Sequence, residues 1–257
     1  MGGENLKILI SPASVEEARI AWACGADIID IKNTQEGSLG ASFPWIIKNA
    51  IDGVADVRAV FSASLGDLSC KPGTASLAAL GAAACGVHYV KAGLFGPKSK
   101  TEGMELMCAV ARACKDYNPA VRVVAAGYAD YRRFGGLDPQ TLTAIAAESG
   151  SEIVMVDTFI KDGKNLFDAM GEEEIDDFIA QAHRRGLQVA LAGSLRREHL
   201  PVLVHIGADI IGVRGALCLG HDRDAAIDRV LTKEFIAAAD ELRRRQGHAQ
   251  AYAVAVL

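Results

Sequence analysis

Four glycines constrain this chain more than any other feature. Gly25, Gly86, Gly150 and Gly207 each precede a short apolar run. The runs read Gly-Ala-Asp-Ile-Ile-Asp-Ile-Lys, Gly-Val-His-Tyr-Val-Lys-Ala-Gly, Gly-Ser-Glu-Ile-Val-Met-Val-Asp and Gly-Ala-Asp-Ile-Ile-Gly-Val-Arg. A glycine suits the left-handed turn that closes a helix, and the apolar run after it suits a buried strand. The repeat spacing is roughly 60 residues, room for two strand–helix units each time. Alternate residues of a strand share a face, so the fifth and seventh residues after each glycine point the same way. Those positions hold Asp30 and Lys32, Lys91 and Gly93, Met155 and Asp157, Gly212 and Arg214. Four repeats of two units make eight strands, and alternate strands of an eight-stranded barrel feed one interior layer. The pattern predicts an α/β chain folded as a single (β/α)8 TIM barrel, with two lysines, two aspartates and an arginine around one mouth.

The intervening segments fit the same plan. Residues 7–12 read as the first strand, Ser14 caps a helix through Ala23, and residues 27–32 form the second strand. The loop 33–43 is longer than the usual 2–6 residues and follows Lys32 directly, which favours a role at the substrate. Residues 57–64 are expected as strand three, followed by a loop 65–74 that contains Asp67 and Lys71 and then an alanine-rich helix over 75–85. Strand four ends at Lys91, Thr101 caps a helix through Lys115, and strand five covers 121–126. Asp138-Pro139 starts the next helix, strand six ends in Asp157, and a helix follows over 172–185. Strand seven covers 187–192, and a final amphipathic helix runs from Arg223 to about Arg245. The barrel is thus expected over residues 6–245, with an N-terminal extension at 1–5 and a C-terminal tail at 246–257. Residues 252–257 are apolar enough to dock on a neighbour, which leaves a homo-oligomer open.

Composition limits the function classes. Half of the 257 residues are hydrophobic and the net charge is −5, which argues against general nucleic-acid binding. No apolar stretch approaches the roughly 18 residues of a membrane span. Six scattered cysteines lack paired spacing, and the six histidines lack zinc-ligand spacing, so neither a disulfide framework nor a metal site is expected. No Gly-x-Gly-x-x-Gly follows the first strand, which disfavours a dinucleotide. A cytoplasmic protein without a cofactor is the simplest reading.

A lysine aimed into a barrel mouth loses hydration, so it is costly as a structural device. With a pKa near 10.4 only about one in a few thousand is neutral at pH 7, whereas a pKa near 7.5 leaves roughly a quarter neutral and nucleophilic. Desolvation beside another cation produces such a shift, and Lys32 and Lys91 could each be that cation for the other. Asp30 could relay protons to Lys32; alternatively the two form an interior salt bridge, which would raise the lysine pKa and silence it. Asp157 with Lys161 offers a second acid/base pair. Gly193-Ser194 after strand seven, and Gly212, Arg214 and Gly215 after strand eight, stand where such barrels commonly bind phosphate. A phosphorylated small substrate follows. Lys71, with the loops after strands two and three, is the candidate for a second phosphate site.

Ser11-Pro12 and blocks 25–32, 36–45, 71–80, 125–130, 157–164 and 212–216 resemble the (5-formylfuran-3-yl)methyl phosphate synthase family, also called 4-(hydroxymethyl)-2-furancarboxaldehyde phosphate synthase. The resemblance covers about residues 6–240. It implies an enzyme that condenses two glyceraldehyde 3-phosphate molecules into a furan aldehyde phosphate, releasing phosphate and water, on the way to methanofuran or methylofuran. It further implies Lys32 as the Schiff-base lysine and Lys91 as the proton acceptor, with Asp30, Asp157 and Lys161 assisting. Two rivals share the residues: a class I aldolase acting on a sugar phosphate, and a catalytically silent phosphate-binding barrel.

Overall fold

The computed structural model describes residues 6–255, with side chains described through residue 246. Eight parallel strands close into one barrel in chain order, with β8 returning to pair β1. The strands are β1 Lys7–Ile10, β2 Ile28–Ile31, β3 Phe61–Asp67, β4 Tyr89–Gly93, β5 Arg122–Tyr128, β6 Ile153–Asp157, β7 Gln188–Leu191 and β8 Ile210–Val213. The helices are α1 Val15–Ala23, α2 Pro44–Val54, α3 Pro72–Ala84, α4 Lys100–Tyr117, α5 Pro139–Glu148, α6 Leu166–Ala169, α7 Glu172–Arg184, α8 Leu200–His205 and α9 Arg229–Ala255. The single (β/α)8 barrel read from the four glycines is therefore the fold. No helix among the described residues is long and apolar enough to cross a membrane.

Strand alternation divides the core in two. Leu9, Ile28, Tyr89, Val124, Met155, Ala190 and Ile210 fill the barrel, while Ile8, Ile29, Val90, Val123, Val154, Val189 and Ile211 pack outward beneath the helices. The small residues of α3 serve this outer layer, since Ala75, Ala79, Ala82 and Ala83 are all buried. Ser14 caps α1 as its sequence position suggests, accepting from the Glu17 N–H.

Several boundaries differ from the sequence-based expectation for local reasons. Strand three starts at Phe61, because Asp56 accepts from the backbone N–H of Arg58 and turns the chain there, leaving Val57 fully exposed. It then runs on through Asp67, which shortens the following loop. Ser99 takes the cap of α4 from Thr101 by accepting from the Glu102 N–H. The last helix begins at Arg229 and continues through Ala255, past the expected end near Arg245. The expected extension at 1–5 and the side chains of the expected docking segment at 252–257 lie outside the described residues.

The repeat has a second structural meaning at the other end of the barrel. The third residue of each repeat accepts the backbone N–H of the preceding strand: Asp27 from Ile8, His88 from Phe61, Glu152 from Val123, and Asp209 from Val189, at 2.7, 3.1, 2.8 and 2.7 Å. Each such bond fixes one strand pair in register. Removing an acceptor strands a sheltered donor, so Asp209→Ala is expected to cost about 1–3 kcal/mol. Urea unfolding of the variant against the wild type measures it.

Candidate active site

At the C-terminal ends of the strands the inward positions change from apolar to ionisable. Asp30 and Lys91 lie deepest, 0% and 2% exposed, and the Lys91 ammonium donates to Asp30 Oδ2 at 2.7 Å. Ser11 Oγ donates to the same oxygen at 3.1 Å, while Asp30 Oδ1 is buried without a hydrogen-bond partner. Burial pushes the Asp30 carboxyl up, but Lys91 and Lys32 outweigh it and hold the group below the ordinary carboxylate value. Asp30 is therefore the ion-pair partner of Lys91, and the carboxylate that stands nearest Lys32 is Asp157.

Lys32 follows β2 and continues its inward phase. Its Nζ donates to the Ser38 carbonyl at 3.2 Å and stands 4.0 Å from Asp157 Oδ2, with the side chain 10% exposed. Burial lowers its pKa to about 8; Asp157 and Asp30 oppose the shift, and Lys91 and Lys161 add to it. Asp157, at the end of β6, is held at about 2: burial would raise it, and the cations Lys161 and Lys32 prevail. Lys161 donates to Asp157 Oδ1 at 2.8 Å and to Thr158 Oγ1 at 3.0 Å, so it is anchored and not merely solvated. Asp130, past β5, accepts from the Phe159 and Ile160 N–H groups and sets the loop that carries Lys161.

These side chains face a cavity of about 520 Å³ lined by Lys32, Lys91, Asp157 and Lys161 together with Gly193, Ser194, Gly212, Arg214 and Gly215. Two predicted phosphate ligands behave otherwise than expected. Lys71 is exposed at the start of α3 and is not among the residues lining the cavity. Arg214 reaches the wall, yet its guanidinium is consumed by the fold. Nε donates to Arg223 O at 2.6 Å, Nη1 to Ser11 O at 2.9 Å and Glu17 Oε2 at 2.7 Å, and Nη2 to Ala225 O at 3.1 Å.

Thr34 and Gln35, within the loop 33–43 expected at the substrate, also line the cavity, as do Arg196, His221 and Arg223, which the sequence did not single out. They sit in loops and single 3-10 turns, too short for a period to mark which side chains turn inward. Arg196 makes no ion pair among the described residues, and Arg223 donates to Gly37 O at 3.4 Å across the mouth. The lining carries six Lys or Arg residues against three aspartates, Asp157, Asp222 and Asp224. That balance suits an anionic ligand. Asp67 was another miss, read only as part of a loop. It closes β3 and accepts from the Ser38 and Leu39 N–H groups and from the Tyr128 hydroxyl.

A family model described as 4-HFC-P synthase matches residues 8–236. The (5-formylfuran-3-yl)methyl phosphate synthase of Methanocaldococcus jannaschii is 53% identical over 229 residues, covering 89% of this chain and 97% of that protein. Its counterpart from Methanosarcina acetivorans is 51% identical over 232 residues, covering 90% and 98%. Among solved structures, KGPDC from Streptococcus mutans matches with a TM-score of 0.62 at 12% identity, covering 93% of this chain and 99% of that one. Phosphoribosyl anthranilate isomerase from Thermus thermophilus matches with a TM-score of 0.56 at 15% identity, covering 92% and 100%. At such identities these two likenesses concern the fold alone.

Proposed function

This chain belongs to the 4-HFC-P synthase family, and we propose that it condenses two glyceraldehyde 3-phosphate molecules into (5-formylfuran-3-yl)methyl phosphate, with release of one phosphate and two waters. On this reading it is a Schiff-base carbon–oxygen lyase acting on phosphates, without a cofactor. It works in the cytoplasm and supplies the furan of methanofuran or methylofuran.

The observation that carries the reading is Lys32. With a pKa of about 8, roughly a tenth of the side chain is a free amine at pH 7, about two hundred times more than for an ordinary lysine. The amine adds to the aldehyde of one triose, and water leaves to give an iminium. The iminium acidifies the adjacent carbon, and the Lys91 and Asp30 pair below it takes the proton. The resulting enamine attacks the second aldehyde. Asp157 and Lys161, on the far side of Lys32, serve the later losses of water and phosphate. The turns Gly193-Ser194 and Gly212 to Gly215 seat one phosphate through backbone N–H groups, and Arg196 supplies the side-chain cation that Arg214 cannot.

Incubation with glyceraldehyde 3-phosphate, with and without borohydride, tests the reading. The expected result is a reduced adduct on Lys32 in peptide mass analysis, and phosphate release when borohydride is absent. An adduct without phosphate would make the protein an aldolase, and neither signal would leave a silent barrel. The sign of the pH dependence follows from the nucleophile. Protonation below the Lys32 pKa removes the amine, so kcat/KM should rise with pH through about 8.

A further inference from the structure

Asp67 is not among the residues lining the cavity, yet it accepts from the backbone segment whose carbonyl meets Lys32. Ser38 is 2% exposed and ties three elements together. Its N–H donates to Asp67 Oδ2 at 2.9 Å, its hydroxyl donates to Thr158 O at 2.8 Å, and its carbonyl accepts from Lys32 Nζ at 3.2 Å. Leu39, next to it, donates its own N–H to Asp67 Oδ1 at 3.3 Å and buries its side chain completely among the barrel residues. Tyr128, on β5, completes the carboxylate's shell by donating its hydroxyl to Oδ1. Gly37 lies against the same group so closely that a Cβ there would stand 2.1 Å from Asp67 Oδ2, and its φ of +134° suits glycine. The segment 37–39 is therefore moulded onto one half-buried carboxylate.

We propose that Asp67 is a positioning residue: by holding the backbone of residues 37–39, with Tyr128 behind it, it keeps Ser38 packed over Lys32 and so keeps water from the amine. It acts through Ser38 and does not contact substrate. The inference rests on Lys32 being the nucleophile of the proposed reaction. The groups that face Lys32 from the other elements are Asp30, Lys91, Asp157 and Lys161, and Asp67 is not one of the charges acting most strongly on it. Around Asp67 itself the charged or titratable neighbours are Tyr128 and Asp157, with Asp130 close to Tyr128. Releasing the segment removes no charge from around Lys32 and exchanges the single Ser38 carbonyl for water, which solvates the ammonium more fully. Solvation favours the ammonium, so the lysine pKa should move upward toward its ordinary value. Losing only a negative charge would move it downward.

The test reads Lys32 itself, independently of any substrate. Wild type, Asp67→Asn and Gly37→Ala are acylated with limiting acetic anhydride across pH 6 to 11, and the Lys32 peptide is quantified by mass. The wild-type midpoint is expected near 8, and both variants should shift it up by about one unit, with a fall in kcat of roughly tenfold at pH 7. Gly37→Ala alters no charge, so a shared upward shift identifies solvation as the cause. Circular dichroism identifies a variant that has not folded, and the other then decides. A folded variant with an unmoved or lowered midpoint overturns the role of Asp67 while leaving the nucleophile intact. A wild-type Lys32 that titrates near 10.4 overturns the proposed nucleophile instead.

Discussion

Lys32→Ala is expected to form no borohydride-trapped adduct and to lose at least about a thousandfold in kcat, a loss of roughly 4 kcal/mol of transition-state stabilisation. The fold should survive, because the side chain makes one hydrogen bond to a backbone carbonyl and a 4.0 Å contact with Asp157, which keeps Lys161 as its closer partner. Lys32→Arg separates charge from chemistry. It preserves the cation beside Asp157 but remains protonated at any working pH, so it should be as inactive as the alanine variant. Single-turnover phosphate release with purified variants checks both. Residual activity within tenfold of wild type in Lys32→Ala would remove the Schiff base from the proposal.

The second large effect falls on stability. Lys91→Ala leaves the Asp30 carboxylate 0% exposed, with no cation within the 2.7 Å that Lys91 occupied. Breaking a buried pair on one side costs about 3–5 kcal/mol, which for a chain of this size lowers Tm by roughly 10 °C. The double variant Asp30→Asn with Lys91→Met removes both charges and should recover most of that loss, although it too would be inactive. The pH dependence gives an independent check. Without Lys91, burial drives the Asp30 pKa above its unfolded value near 3.9, so between those two values the folded state binds the extra proton and stability falls as pH rises. The deficit of Lys91→Ala relative to wild type should therefore narrow under acidic conditions. Thermal melts at pH 5 and pH 8 suffice; an equal deficit at both would mean that Asp30 is not left charged.

How much of this was legible in the sequence depends on whether a residue belongs to a periodic element. Asp30, Lys32, Lys91 and Asp157 share a strand phase that the four glycines announce; Lys32, Lys91 and Asp157 line one cavity, and Asp30 lies buried behind Lys91. The pairing among them was not legible. Asp30 is two residues from Lys32 in sequence, but register across β2, β3 and β4 aims it at Lys91 instead. Arg214 was placed correctly at the mouth and misjudged in what it holds, because its partners Ser11 and Glu17 are nearly the whole chain away. Lys71 stood in a loop whose apparent length came from ending strand three too early, at 64 and not at Asp67. Asp67 carried no signal at all, since an aspartate after Leu-Gly looks like an ordinary turn until Ser38, Leu39 and Tyr128 converge on it.

The bonds that set register and the bonds that fasten Arg214 differ sharply in the length of chain they enclose. The four acceptors at the strand starts close loops of 19, 27, 29 and 20 residues. Arg214 bonds to Ser11 and Glu17 across 203 and 197 residues. Loop-closure entropy grows as the logarithm of length, so joining points that far apart costs about 2 kcal/mol more than closing a loop of some twenty residues. Four short loops organise the ring in quarters at modest entropic cost, and the seam between β8 and β1 bears the large one. The guanidinium that looked like a phosphate ligand is the rivet of that seam, and its buried ion pair with Glu17 helps offset the entropy of shutting the barrel.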